Sequence, residues 1–176
     1  MAIDRRSFIK AGALGTAALV TAGAYEAWRL RDCQGATAAL PPEGRALFAA
    51  VLPAFLDGMV EPAAWTPALM NTTLDGVERT IQGLGPNAIA ELRQLFCLLD
   101  QRPLRFALTG VWASWPAVDA VTARRFLDRW RNGNTAMLTS AYQALHDISF
   151  GAWYAAPSSW PAIGYPGPPR LTGSAA

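Results

Sequence analysis

The sequence predicts an all-α protein: a single bundle of about five to six helices, with an N-terminal signal helix and an extended proline-rich C-terminal tail. Apolar residues recur three and four positions apart in successive segments, and proline and glycine clusters separate these segments. No alternating strand pattern and no internal repeat is present. The length of 176 residues and the hydrophobic content of 52% suit one domain with a sizeable core. We divide the chain into a signal and linker at 1–38, a helical domain at 39–156 and the tail at 157–176.

Two helices are expected in the first half of the helical domain. The first follows a pair of prolines, which are favoured in a first helical turn. Pro53 is expected to kink or divide it, and Gly58 to end it. The second has Thr66 as a candidate N-cap and Pro67 at its first position. Its predicted apolar face is Met70, Leu74, Val77 and Ile81.

Three further segments precede the last helix. Residues 86–101 have an apolar face at Ile89, Leu92, Phe96 and Leu99. A shorter segment of one or two helical turns follows, and then a loop that carries Trp112 and Trp115. Residues 119–134 predict a clear amphipathic helix that ends at Asn132-Gly133-Asn134. The predicted inner face of this helix is Ala123, Phe126, Leu127 and Trp130.

The last helix, at about 135–155, has apolar residues over much of its circumference. One stripe is Leu138, Ala141, Leu145, Ile148 and Ala152. A second stripe is Tyr142, His146, Ser149 and Trp153. Such a helix is either central in the bundle or faces a partner on its second side. The tail that follows contains five prolines between 157 and 169, and we expect it to lie extended on a surface.

The N-terminus resembles a twin-arginine export signal. Arg5 and Arg6 are followed by Phe8 and Lys10, and then by a short, weakly apolar run that ends in small residues. Asp4 stands where the usual form has serine or threonine. The resemblance implies that the twin-arginine translocase exports the folded protein to the periplasm.

The signal is expected to be cleaved after Ala24 or after Ala38. The apolar run of about 14 residues is shorter than the roughly 20 that a spanning helix needs. Membrane association through a complex or through an uncleaved signal remains the alternative.

Charge and cysteine content narrow the function classes. The formal net charge of +2 comes from residues 1–24, and the remainder has 12 basic and 12 acidic residues. Because a nucleic-acid binder needs a basic face, we expect no nucleic-acid partner. Cys33 and Cys97 are candidates for a disulfide in an oxidising compartment, although a bridge to another chain or a simply buried Cys97 is also open.

We find no catalytic constellation in the sequence and expect neither an enzyme, a bound cofactor nor a metal site in this chain. Its one histidine, His146, is interpreted as a helix residue hydrogen-bonded to Asp147 or to a backbone carbonyl. Zinc and similar metals need several suitably spaced ligands. The carboxylates Asp75 and Glu78, with Arg79 and Arg93 expected nearby, are interpreted as a solvated charged face.

The chain resembles the small, twin-arginine-signalled subunit of membrane-associated flavin dehydrogenases, the gluconate 2-dehydrogenase subunit 3 group. Three stretches carry the resemblance: RRSFIKAG, LFCLLDQRPLRFALTGVWASW and YQALHDISFGAWYAAPSSWPAIGYPGPP. The resemblance implies a large partner subunit of the glucose-methanol-choline (GMC) type that holds FAD. It also implies that this chain supports maturation of the flavoprotein and its export. A cytochrome c subunit is a further candidate member of the complex.

The leading hypothesis is therefore a non-catalytic accessory subunit of an exported FAD-dependent dehydrogenase. Large aromatic and apolar side chains near the C-terminus are the expected partner anchors. They are Trp153, Tyr154, Trp160, Ile163 and Tyr165. The main alternative is an independent periplasmic binding module with a small tryptophan-lined pocket, and an enzyme of unrecognised type or a structural envelope protein are further alternatives.

Overall fold

Six α-helices account for most of residues 39–168, which are the residues that this computed structural model describes. The helices are α1 (Pro42–Phe55), α2 (Pro67–Gln82), α3 (Pro86–Asp100), α4 (Arg102–Thr109), α5 (Ala120–Asn132) and α6 (Ala136–Ala155). Short 3₁₀ turns lie at Pro62–Ala64, Trp115–Ala117, Pro157–Ser159 and Pro161–Ile163. Because the described residues contain no strand, the all-α prediction is confirmed. The signal residues Arg5, Arg6, Phe8 and Lys10, the two candidate cleavage positions and Cys33 lie outside the described residues.

Helix starts follow the sequence signals closely. Each of α1 to α4 has a proline in its first two positions, where the missing N–H costs nothing. Thr66 caps α2 as predicted, because its Oγ1 accepts a hydrogen bond from the Leu69 N–H at 3.2 Å. Asp119 caps α5 in the same way, with Oδ1 2.7 Å from the Thr122 nitrogen. That hydrogen bond lowers the pKa of the Asp119 carboxyl below its ordinary value.

Helix α1 lies at the centre of the bundle and packs against α2, α3, α5 and α6. Its inward side chains Leu47, Val51 and Leu52 have no exposed surface, and neither does Phe48. Its Gly44 faces α3 so closely that an added Cβ would lie 2.7 Å from a ring carbon of Phe96. The central helix is therefore the first one, whereas α6 buries one side against α2 and α5 and leaves the other half-exposed.

The predicted inner faces are buried in the structure. All four predicted residues of α5 are in the core, as are Leu74, Val77 and Ile81 of α2. Met70 and Ile89 contact the core from partly buried positions. Within residues 39–168, no helix is long and apolar enough to cross a membrane.

Pro53 does not divide the first helix, which corrects one of the two expected outcomes, and the alternative of a kink stays a prediction. Helix α1 continues through Pro53 and ends at Phe55, and the chain then turns at Gly58, whose φ is 81°. A proline this close to the C-terminal end removes one hydrogen bond but leaves almost no helix beyond it to be misaligned.

The tail is not extended over its described residues, 157–168, which is a second correction. It winds through two 3₁₀ turns and reverses at Gly164, whose φ is 67°. Ser159 Oγ lies 2.7 Å from the Trp153 carbonyl oxygen and 2.8 Å from that of Ala156, and its one hydroxyl hydrogen is shared between these two acceptors. This contact ties the tail to the end of α6. The fixed φ of proline is compatible with 3₁₀ geometry, so frequent prolines exclude a long helix but permit short turns.

Candidate partner interface

A row of aromatic side chains runs along the half-exposed side of α6. Tyr142, His146, Phe150 and Tyr154 are each four residues apart, so they lie on one face of the helix. Successive ring centroids are 5.8, 4.4 and 5.9 Å apart. Phe55 at the end of α1 lies beside the first three rings, at 5.7, 5.8 and 6.5 Å. We call these five residues the aromatic row.

The row corrects the second stripe predicted for this helix. The predicted stripe contains Tyr142, His146, Ser149 and Trp153. In the structure the row of rings continues instead from His146 to Phe150 and Tyr154. Ser149 and Trp153 instead face the core. The strict four-residue spacing was legible in the sequence, but the packing of Phe55 against it depends on how α1 ends and was not.

His146 is a hydrogen-bonded helix residue, as predicted. Its Nδ1 lies 2.9 Å from Oδ1 of Asp147, and the same oxygen accepts a hydrogen bond from Gln143 Nε2 at 2.8 Å. Its ring is half-buried between its aromatic neighbours. Within residues 39–168, no three His, Cys, Asp or Glu side chains are grouped so that they could hold a metal ion.

A groove of about 240 Å³ lies between α1, α5 and α6 beside the aromatic row. Its apolar lining consists of Ala54, Phe55, Leu127 and Phe150. The polar lining is Arg124, Asp128, Arg131, Tyr142 and His146. Arg124 is paired with Asp57, which follows α1. The groove can therefore receive one large apolar side chain while charged groups contact the polar segment that carries it.

The folded tail presents a second group of apolar side chains next to this row. Tyr154, Ile163 and Tyr165 are 44%, 44% and 45% exposed. Trp160 supports them: its Nε1 donates to the Tyr154 carbonyl at 2.9 Å, and its ring lies edge-on to Tyr165 at 5.3 Å. We call Tyr154, Trp160, Ile163 and Tyr165 the tail surface. Tyr154 belongs to both groups, so the tail surface continues into the aromatic row.

Trp153 is not available as a partner anchor, which corrects that part of the prediction. It is only 8% exposed and packs in the core. Adjacent residues of a helix point about 100° apart, so Trp153 turns inward while Tyr154 turns outward. The other four predicted anchors have exposed or partly exposed side chains.

The predicted charged face on α2 exists, with a different cation. Arg45 of α1 donates to Asp75 at 2.9 Å and approaches Glu78 at 4.0 Å. Arg79 instead donates its Nε–H to the backbone carbonyl of Asp75 at 3.2 Å. These side chains are partly solvated, and pairs of this kind contribute little to stability.

Cys97 on α3 is buried and disulfide-bonded. Its predicted partner, Cys33, is the only other cysteine of the sequence and lies outside the described residues. The identity of the pair stays a prediction.

No protein family model, no curated protein and no solved structure matches this chain.

Proposed function

We propose that the protein is a non-catalytic accessory subunit that escorts, matures and stabilises an exported FAD-dependent dehydrogenase of the GMC type. The observation that carries the accessory role is the tail surface, where three large apolar side chains are nearly half exposed on a folded support. The GMC type and the FAD of the partner are what the resemblance of the three quoted stretches implies. A contiguous exposed apolar surface on a soluble domain is typical of a protein-binding site. FAD belongs to the large subunit in this proposal, and a cytochrome c subunit is a further candidate member.

The tail surface suits a partner interface because it is preorganised. The hydrogen bonds of Ser159 and Trp160 hold the two 3₁₀ turns against α6 before any partner arrives. Little conformational entropy is then lost when Ile163 and Tyr165 are covered. The adjoining groove can bind one side chain of the partner. Hot-spot residues commonly fill such pockets on the opposite surface of an interface.

The twin-arginine segment supplies the export step of the proposal. A translocase that carries folded proteins can move a flavoprotein without its own signal if that flavoprotein is already bound to a signalled subunit. The single segment around Arg5 and Arg6 would then serve two chains.

The proposal predicts that the adjacent reading frame encodes a GMC-type flavoprotein without an export signal, and co-expression of that flavoprotein with this chain tests the escort role. With both chains present, we expect active, FAD-loaded flavoprotein in the periplasm, and without this chain we expect it in the cytoplasm. Periplasmic dehydrogenase activity and FAD content per flavoprotein are the measurements. A flavoprotein that reaches the periplasm fully active on its own contradicts the escort role.

The same co-expression locates the interface. Replacement of Tyr154, Ile163 and Tyr165 by serine should weaken the complex by at least about thirtyfold, the effect of losing one hot spot. The matched control is Met137→Ser, since Met137 is 62% exposed at the other end of α6. It should leave the complex intact. Equal retention of the flavoprotein by both variants excludes the tail surface.

The groove favours one second candidate, an independent periplasmic binding module. Its lining of Phe55, Tyr142, His146 and Phe150 with Arg131 fits a small amphipathic molecule, although no tryptophan lines it. Isolation of the exported protein as a monomer with such a molecule bound would favour this function over the escort role.

A further inference from the structure

Helix α4 has an inverted distribution of polar and apolar side chains. Arg105 and Thr109 are buried, with 2% and 0% exposure, whereas Phe106 is 52% exposed. A helix normally buries its aromatic residue and leaves its arginine in water. The inversion places Phe106 outside, while Arg105 and Thr109 occupy the inner face of the helix.

Phe106 is joined outside by the most exposed tryptophan of the described residues. Trp112 is 59% exposed in the loop after α4, and its ring contacts that of Phe106 edge-on at 5.7 Å. The next two residues, Ala113 and Ser114, are exposed as well. Phe106 of α4 and Trp112 of the loop therefore form an exposed aromatic pair.

Two arginines hold this loop in place. Arg105 donates from Nη1 to the carbonyls of Leu99 (3.2 Å) and Asp100 (3.1 Å), and from Nη2 to the carbonyl of Trp112 at 3.4 Å. Arg129 of α5 donates to the carbonyl of Thr109, just before the turn. The exposed pair is thus fixed from both ends of the loop.

Residues 39–168 contain nine arginines and ten acidic residues, so the domain as a whole has no excess of positive charge. Two arginines nevertheless lie close to the pair. Arg102 lies one helical turn before Phe106 on α4, and the Arg129 guanidinium lies beside Gly110.

We propose that Phe106 and Trp112, with Arg102 and Arg129, form a peripheral binding surface for anionic phospholipid. Tryptophan and phenylalanine favour the boundary between headgroups and acyl chains, where a ring leaves water and its polar edge does not. Arg102 is exposed, and arginine is suited to phosphate because its planar fork donates two parallel hydrogen bonds. Arg129 contributes positive charge, since its Nε and Nη2 already donate to backbone carbonyls. The exposed aromatic rings of Phe106 and Trp112 can enter a headgroup layer. The groove beside α6 is concave and can only bind a group that another molecule inserts into it. This surface shares no residue with the tail surface, so it does not depend on the escort role.

The test measures binding of the protein purified from the periplasm to vesicles. Vesicles of phosphatidylglycerol and phosphatidylethanolamine should bind it, and vesicles of phosphatidylcholine alone should bind it weakly. Phe106→Ser with Trp112→Ser should reduce binding by at least about tenfold, since two aromatic rings lose their burial. Arg102→Gln should reduce it about fivefold, and the reduction should vanish in high salt. The control, Ile163→Ser with Tyr165→Ser, should bind vesicles like the unaltered protein.

Fluorescence quenching by brominated acyl chains identifies the tryptophan that inserts. The quenching should disappear in Trp112→Phe. It should persist in Trp28→Phe, which controls for the N-terminal segment when cleavage after Ala24 leaves Trp28 in the mature chain. Equal binding to both vesicle types, or loss of quenching only in Trp28→Phe, overturns the proposal. The proposal is also overturned if the protein binds no vesicles and instead binds a partner protein through Trp112. The urea concentration at the midpoint of unfolding is measured for every variant. A midpoint equal to that of the unaltered protein shows that the variant has kept the fold.

Discussion

At the scale of single residues, Arg105 donates hydrogen bonds to carbonyls that would otherwise lack a partner at the junction of α3 and α4. Helix α3 ends at Asp100 and α4 begins at Arg102, so the last carbonyls of α3 have no following turn to bond them. Arg105 supplies the donors and puts a positive charge at the negative end of α3. Burial lowers the pKa of its guanidinium, while nearby Asp100 opposes that change, and the group stays charged.

We expect Arg105→Met to lower the free energy of unfolding by about 3 kcal/mol, because buried carbonyls lose charge-assisted hydrogen bonds. Methionine keeps most of the apolar volume, so the loss reports the donors rather than a cavity. Urea denaturation followed by circular dichroism measures it. The control Arg102→Met changes an exposed neighbour on the same helix and should stay within about 0.5 kcal/mol. Equal midpoints for the two variants would contradict the capping role.

At the scale of helices, the packing of α1 on α3 depends on a glycine. Gly44 lets Phe96 lie against the backbone of α1, and an added Cβ would approach two of its ring carbons at 2.7 and 2.9 Å. Gly151 in α6 has the opposite surroundings, because an added Cβ there would lie 3.6 Å from Thr80 Cγ2 in ordinary contact. We therefore expect replacement by alanine to change the stability of the domain in opposite directions at Gly44 and Gly151.

Gly44→Ala should destabilise the domain by about 1–2 kcal/mol, since overpacking exceeds the gain in helix propensity. Gly151→Ala should stabilise it by about 0.5–1 kcal/mol, because only the propensity gain remains. Thermal and urea unfolding of the two single variants gives both signs. A stabilising Gly44→Ala would show that α3 shifts without cost and that the close approach is not needed.

The helices also show which parts of the fold can be predicted from sequence. The inner face of α5 and the cap of α2 follow from local spacing and from Thr66-Pro67, so both were predicted correctly. The inversion of α4 could not be predicted, because the acceptors that bury Arg105 come from the end of α3 and from a loop. Trp153 was misplaced for a related reason: exposure depends on which helix lies opposite.

At the scale of the whole molecule, the C-terminal half combines two exposed surfaces with different chemistry. The tail surface is aromatic and aliphatic on a folded support, whereas the Phe106–Trp112 pair lies close to Arg102 and Arg129. Neither surface is visible as a periodic pattern, because each forms where a loop or tail folds back on a helix. The residue types of the tail surface were predicted from composition, but their turn geometry was not.

The redox state of Cys97 should report the compartment that the molecule has reached. If the chain folds in the cytoplasm before export, its fold must form without the disulfide, which is then made in the periplasm. Cleavage after Ala24 leaves Cys33 in the mature chain. For that mature chain we expect periplasmic protein to contain a Cys33–Cys97 bond, and protein trapped inside by Arg5→Lys with Arg6→Lys to contain two free thiols. Alkylation followed by mass spectrometry of non-reduced peptides distinguishes these states.

The same bond has a measurable effect on stability. It closes a loop of roughly 64 residues, so its reduction should lower the free energy of unfolding by about 4 kcal/mol in the chain-entropy account. Cys33→Ser and Cys97→Ser should lower it to a similar extent, because either one opens the same loop. A periplasmic Cys33→Ser protein that dimerises through Cys97 would instead show that this cysteine is accessible to another chain. A large loss in Cys97→Ser alone would assign its effect to the packing of a buried side chain rather than to the bond.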